Sequence, residues 1–257
     1  MSGRGLPGRG LVRRHKPEEI QVTLKLHTTI SSSTVRLAQS SPEASVSAEA
    51  FIQIHASVKT STRPSLPVTL STWRTPLERA LSPEDSTSPV WINSALTYLR
   101  STRDEDRYGG PPALGYKIHR RGGFARNLRD DWDFITVPSM ENGGEVVVEH
   151  RLPVEDLQFW KRKSDGYVDS VKPEKGEVWN IGPSEGGLGT FWWAWGDLEG
   201  DLKDKEFRND EWFDGELESG KGNGVGGEVD GKWVYPEGEN GFGLCMEIEN
   251  QGGVTFV

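Results

Sequence analysis

Residues 186–197 read GGLGTFWWAWGD and hold three tryptophans and one phenylalanine within five consecutive positions. Glycines on both sides of the aromatic run are typical of the turns that bound a strand. Successive side chains of a strand point to opposite faces, so Phe191, Trp193 and Trp195 share one face. Because large aromatic side chains dominate protein cores, this row predicts a core-facing strand of an all-β domain.

Trp192 lies on the opposite face of that predicted strand, which it shares with the small residue Ala194. A β-sandwich buries one face of each sheet, so Trp192 is exposed unless a loop covers it. An exposed aromatic side chain is typical of a contact site. We therefore select Trp192 as a candidate contact residue, and we expect its replacement to cost less stability than replacement of Trp193.

A basic cluster supplies the remaining candidates for a contact patch. Its members lie within a short segment of an otherwise acidic chain and are Lys117, Arg120, Arg121, Arg126 and Arg129. Of these, Arg120, Arg121 and Arg126 join Trp192 in the candidate patch. The cluster can pair with acidic residues of the chain itself, or it can dock an acidic partner. Surface ion pairs contribute only about 0–1 kcal/mol each, so both alternatives stay open.

Alternating apolar and polar residues predict further strands. Residues 20–27 and 52–59 each alternate throughout. The turn sequences at 142–144 and 250–253 lie between strand patterns and predict two hairpins. About seven to nine short strands of this kind predict an all-β fold, an immunoglobulin-like antiparallel β-sandwich with long loops and less than about a fifth helix.

The chain has no internal repeat and no clear linker, so residues 18–257 are predicted to form one domain. Residues 1–17 are rich in glycine and arginine and lack an apolar pattern, which predicts a disordered basic tail. An acidic, glycine-rich insert is expected at about 197–231. Its first part, residues 197–218, contains ten acidic and three basic residues.

Composition and charge argue against several classes of protein. The net charge of −9 disfavours nucleic-acid binding, which requires basic surfaces. No segment approaches the ~20 apolar residues of a membrane-spanning helix. Cys245 is the only cysteine and the chain has no Asn-x-Ser/Thr sequence, so neither a disulfide framework nor glycosylation is expected. These features, and an N-terminus that does not resemble a signal peptide, favour a cytoplasmic or nuclear location.

Residues 66–78, LPVTLSTWRTPLE, resemble a segment of uncharacterised fungal proteins in which a strand ends in a tryptophan and a Thr-Pro-Leu-acid turn. Those proteins look like immunoglobulin-like sandwiches and are distantly similar to the N-terminal sandwich of fungal lysine-specific metallopeptidases. The resemblance extends over the strand order of residues 20–152 and implies the same fold. The zinc-binding His-Glu-x-x-His helix of the peptidases has no counterpart in this chain, so the resemblance implies no peptidase activity.

Three histidines lie in predicted strands and pose the question of a metal site. His27 and His55 occupy polar positions of the two clearest strands, and His150 lies in a third. On neighbouring strands the imidazoles can converge on a metal ion; otherwise they are scattered polar side chains of a solvated face. Strand histidines lack the fixed ligand spacing of known zinc sites. The sequence therefore assigns no catalytic residue, no metal ligand and no cofactor.

The leading hypothesis is a non-catalytic intracellular interaction module whose partner is another protein, with no specific nucleic-acid partner and no membrane. One alternative is a metal- or carboxylate-dependent hydrolase at the loop end of the sandwich, which clustered imidazoles of His27, His55 and His150 would favour. Another alternative is a glycan-binding module, which a coplanar pair of exposed tryptophans would favour.

Overall fold

The computed structural model describes the chain in the following ranges: 17–31, 34–35, 50–73, 75–78, 97–110, 127–131, 133–152, 157–183, 188–208, 229–231, 233–237 and 242–257. The helical segments are a 3₁₀ turn at Pro17–Glu19 and helix α1 at Leu128–Asp131. The strands in chain order are β1 (Val22–Ile30), β2 (Thr34–Val35), β3 (Ala50–Ser61), β4 (Val68–Ser71), β5 (Thr97–Ser101), β6 (Arg107–Gly110), β7 (Phe134–Val137), β8 (Val146–Leu152), β9 (Gln158–Arg162), β10 (Val168–Ser170), β11 (Val178–Pro183), β12 (Trp193–Trp195), β13 (Glu206–Phe207), β14 (Val229–Asp230), β15 (Trp233–Val234), β16 (Leu244–Asn250) and β17 (Gly252–Phe256). The all-β prediction is therefore confirmed. Neither described helical segment has the length and apolar character that a membrane span requires.

Two larger sheets face each other and form a sandwich. One sheet has four strands in the order β16-β1-β3-β8, and the other has seven in the order β10-β9-β6-β5-β11-β17-β2. A smaller sheet, β12-β4-β7, packs against the same interior. We call this interior the main core; its buried side chains include Leu24, Leu26, Ile52, Ile54, Leu70, Ile135, Trp179, Ile181, Trp193, Trp195, Met246 and Phe256. The predicted alternation in β1 and β3 is confirmed, since Leu24 and Leu26 of β1 and Ile52 and Ile54 of β3 are fully buried.

The sandwich is not purely antiparallel. Strand β1 pairs antiparallel with β3 but parallel with β16, and β17 pairs parallel with β2. These parallel partners lie far apart in the chain, as they must, because parallel strands need a long connection rather than a tight turn. The expected antiparallel β-sandwich therefore also contains these two parallel strand pairs. The immunoglobulin-like topology stays a prediction.

The turns at 142–144 and 250–253 connect different sheets. The first turn leads from β7 in the three-stranded sheet to β8 in the four-stranded sheet, and the second leads from β16 to β17 across the two larger sheets. Gly143 and Gly144 have φ angles of +64° and +97°, a left-handed conformation that glycine adopts without strain. The prediction of two hairpins is therefore wrong. Turn chemistry reveals a chain reversal, but it does not reveal whether the flanking strands pair.

Strand β12 is the aromatic strand, and both of its faces are buried. Trp193 and Trp195 point into the main core, as predicted. Trp192 and Ala194 point into a separate cluster, which we call the second core; its members are Leu128, Trp192, Ala194, Leu202, Phe207 and Val234. Trp192 has no exposed surface. The expectation of an exposed contact residue at Trp192 is therefore corrected.

The first part of the acidic insert is what covers Trp192. Its turns and the small sheet β13-β15-β14 bring Leu202 and Phe207 onto the indole ring. The Phe207 ring stacks on the indole, with centroids 4.5 Å apart and 23° between the planes. The indole Nε1 donates a hydrogen bond to the Arg208 carbonyl at 2.9 Å. The segment predicted as an acidic, glycine-rich insert thus contributes part of the packed interior.

Candidate metal centre

Two histidines stand side by side on the outer face of the four-stranded sheet. The antiparallel register places His27 of β1 directly opposite His55 of β3. Both residues occupy outward positions of strands whose alternate side chains are buried. Their rings are stacked, with centroids 4.2 Å apart and 15° between the planes. The two strands that the sequence predicts most clearly therefore bring two imidazoles together.

Glu145 completes the group. It lies immediately before β8, and its Oε1 atom is 2.7 Å from Nδ1 of His55. One ligand atom from each of His27, His55 and Glu145 lies within 4.8 Å of the other two. Glu145 was not predicted from the sequence, because its proximity to His55 depends on the pairing of strands from segments 90 positions apart.

His150 does not join the group. It lies on the inward face of β8, where it is 2% exposed, and its Nε2 donates a hydrogen bond to the Pro76 carbonyl at 3.0 Å. Burial lowers the pKa of His150 below its ordinary value, while the hydrogen bond to Pro76 acts in the opposite direction. Of the three histidines that the sequence suggested could converge, only His27 and His55 do so, and the third member of the group is the carboxylate of Glu145.

The three side chains form an open group rather than a closed coordination shell. In a tetrahedral site with ligands about 2.0–2.1 Å from the metal, neighbouring ligand atoms lie about 3.4 Å apart. The 2.7 Å contact between His55 and Glu145 would lengthen on metal binding, and any separation near the 4.8 Å limit would shorten. The side chain of His55 is 14% exposed and that of Glu145 is 41% exposed. Glu145 is therefore the more solvent-exposed of these two side chains.

A hydrogen-bonded row of side chains flanks the group on the same face. Oγ1 of Thr29 lies 3.2 Å from Nε2 of His55 and 3.4 Å from Oε1 of Gln53. Nε2 of Gln53 donates to Oε2 of Glu149 at 3.0 Å. Both ring nitrogens of His55 therefore have polar partners, one in Glu145 and one in Thr29.

The lysines of this face are paired with glutamates. Lys25 lies 3.3 Å from Glu249, and Lys59 lies 2.7 Å from Glu247. The hydrogen bond that Lys59 donates to Glu247, followed by the charge of that carboxylate, raises the pKa of Lys59. Pairing of these ammonium groups with carboxylates reduces the repulsion that a cation bound on this face would meet.

Two imidazole nitrogens and one carboxylate oxygen suit a particular class of metal ion. Imidazole favours Zn²⁺, Cu²⁺ and Ni²⁺, whereas Ca²⁺ and Mg²⁺ take shells of oxygen ligands. Three protein ligands leave at least one coordination position for water or another ligand. Cys245 offers no thiolate to this site, since it pairs with Thr23 toward the other end of β1. Burial, followed by the charge of Glu247, also raises the pKa of its thiol.

The residues selected from the sequence as a contact patch do not form one in the described structure. Trp192 is fully buried, and Arg120, Arg121 and Arg126 lie outside the described residues. Arg129, another member of the basic cluster, binds the acidic insert through backbone carbonyls, at 2.9 Å from Leu202, 2.6 Å from Lys203 and 3.1 Å from Lys205. This residue therefore holds the cover of the second core in place. The tail predicted at 1–17 is described only at Pro17.

Comparisons of the chain with protein-family models, with curated proteins and with solved structures gave no match. The resemblance to fungal sandwich proteins accordingly stays a prediction.

Proposed function

We propose that the protein is a binding domain that holds a divalent transition-metal ion, of the Zn²⁺, Cu²⁺ or Ni²⁺ class, on the outer face of its four-stranded sheet. One observation carries the proposal: His27, His55 and Glu145 offer two nitrogens and one carboxylate oxygen within 4.8 Å of one another. Such a mixed donor set matches the preferences of these ions. Interaction with another protein stays part of the proposal, because the open coordination position can accept a side chain of a partner.

Binding, rather than catalysis, is the role that the surroundings of the group favour. The group lies on an outer sheet face, and 41% of the Glu145 side chain is exposed to water. Catalytic metal sites depend on a dry, shaped cavity around the ion. A metal-dependent hydrolase is the alternative. If the protein is such a hydrolase, its Zn²⁺-loaded form should hydrolyse p-nitrophenyl acetate faster than a Glu145→Gln variant does under the same conditions.

A glycan-binding function has less support. Every tryptophan whose side chain the structure describes is buried or half-buried. Trp192, the residue whose exposure would have favoured such a function, lies in the second core. The described part of the chain therefore offers no coplanar pair of exposed indoles.

Isothermal titration calorimetry with ZnCl₂, and separately with NiCl₂, tests the proposal on the full chain without a histidine tag. The wild type should bind a single ion, and Glu145→Gln and His55→Ala should each weaken binding by at least about tenfold. Glu105→Gln is the matched control, since this exposed carboxylate pairs with Arg100 in the seven-stranded sheet. It should bind as the wild type does. Absence of binding in the wild type, or equal binding by all variants, would refute the proposal.

A further inference from the structure

The hydrogen bonds beside the metal centre have a fixed direction. A carboxylate only accepts hydrogen bonds, so the amide nitrogen of Gln53 must be the group that faces Glu149, at 3.0 Å. The amide oxygen of Gln53 then faces Thr29, whose Oγ1 donates to it at 3.4 Å. The register supports this row, because Gln53 lies opposite Thr29 on one side and opposite Glu149 on the other. Glu149 thereby determines the orientation of the Gln53 amide.

The hydrogen bond between Thr29 and Gln53 also determines which nitrogen of His55 carries a hydrogen. The Thr29 hydroxyl has one hydrogen, which it donates to Gln53, so its oxygen can only accept from Nε2 of His55 at 3.2 Å. Nε2 therefore carries a hydrogen. A neutral imidazole with its hydrogen on Nε2 has a lone pair on Nδ1, and that lone pair faces Oε1 of Glu145 at 2.7 Å.

Two acceptor atoms at this distance repel each other unless a positive centre lies between them. A divalent ion bound to both atoms takes that place. A metal ion on Nε2 would instead have to displace the hydrogen bond to Thr29. We propose that His55 binds the ion through Nδ1, and that Thr29 is a positioning residue that holds the imidazole in the required tautomer. This inference rests on the metal-binding function proposed above.

The magnitude of the effect follows from the position of Thr29 beside a ligand. Histidine ligands donate their second N–H to a polar partner, which fixes ring orientation and strengthens the imidazole as a ligand. Loss of such a partner lowers metal affinity about 10–100-fold. Here the partner is a neutral hydroxyl, but Gln53 connects it to the negative charge of Glu149. Hydrogen bonds in such a row polarise one another.

Calorimetric titration of Thr29→Val with ZnCl₂ tests the inference. Valine has nearly the shape of threonine and suits a strand, so the fold should persist, which circular dichroism and the melting temperature check. Affinity should fall about 10–100-fold, and Thr29→Ser should restore it to within a few-fold. Thr60→Val, at an exposed position of β3, is the matched control and should bind as the wild type does. Unchanged or tighter binding by Thr29→Val would overturn the inference, since an ion on Nε2 competes with the hydroxyl.

Nitrogen-15 NMR of histidine-labelled protein provides a second measurement. With Zn²⁺ bound, Nδ1 of His55 should show the shift of a metal-bound nitrogen, and Nε2 should show that of a protonated one. The reverse assignment would overturn the inference even if Thr29→Val proved too unstable to titrate. A wild type that binds no Zn²⁺ contradicts the proposed function itself. If the wild type binds Zn²⁺ but no more tightly than Thr29→Val, only the role of Thr29 is contradicted.

Discussion

Replacing Trp192 with alanine removes the central side chain of the second core. The indole is fully buried, stacks on Phe207 at 4.5 Å and lies edge-to-face with Phe134 at 5.3 Å. Truncation of a buried tryptophan to alanine costs about 3–5 kcal/mol. The variant also loses the hydrogen bond from Nε1 to the Arg208 carbonyl, which adds about 1 kcal/mol. We therefore expect the free energy of unfolding to fall by about 4–6 kcal/mol.

Urea denaturation followed by far-UV circular dichroism measures this loss without relying on tryptophan fluorescence. Trp193→Ala is the matched comparison, because Trp193 is equally buried and its Nε1 donates to the Phe242 carbonyl at 2.8 Å. The two variants should lose similar amounts of stability, which replaces the expectation from sequence that Trp192 matters less. Trp192→Phe should recover part of the loss. A cost below about 1 kcal/mol for Trp192→Ala would show that the second core does not unfold together with the domain.

Three other predictions concern buried or half-buried polar groups. Burial lowers the pKa of His150 from its ordinary value of 6.5. At a pH below 6.5, this histidine therefore binds a proton in the unfolded chain but not in the folded one. The free energy of unfolding should accordingly fall as the pH drops through 6.5. Urea denaturation at about pH 7.5 and about pH 5 should show a smaller loss for His150→Gln than for the wild type, and equal losses would contradict the assignment. Glu177 is fully buried, and its Oε1 lies 3.0 Å from the Arg107 guanidinium. Glu177→Gln should therefore lower the free energy of unfolding by about 3–5 kcal/mol. An unchanged free energy of unfolding would mean that the ion pair adds no net stability. Burial, followed by the charge of Glu247, raises the pKa of the Cys245 thiol; iodoacetamide at about pH 8 should therefore alkylate it more slowly than free cysteine, whereas an equal rate would count against the burial of this thiol.

Residue alternation predicted the strands of the metal centre but not their partners. The outward positions of His27 and His55 follow from the period of two in their strands. The parallel pairing of β1 with β16 depends on contacts between distant segments, which no local pattern encodes. The expectation for Trp192 failed for a related reason. Its cover comes from Leu202 and Phe207, two apolar side chains within a segment whose composition is dominated by acidic residues and glycine.

The contact between His27 and His55 depends on a single irregularity in β3. The ladder between β1 and β3 skips Lys59, which bulges out of the pairing near the start of β1. Without this bulge the register would place His27 opposite Ala56, whose side chain points into the main core. A slip of one residue reverses the face that a strand presents to its neighbour, and bulges of this kind re-aim side chains. Each imidazole is thus predictable as an outward-facing side chain, whereas their contact, and the metal centre with it, arises from one extra residue in the neighbouring strand.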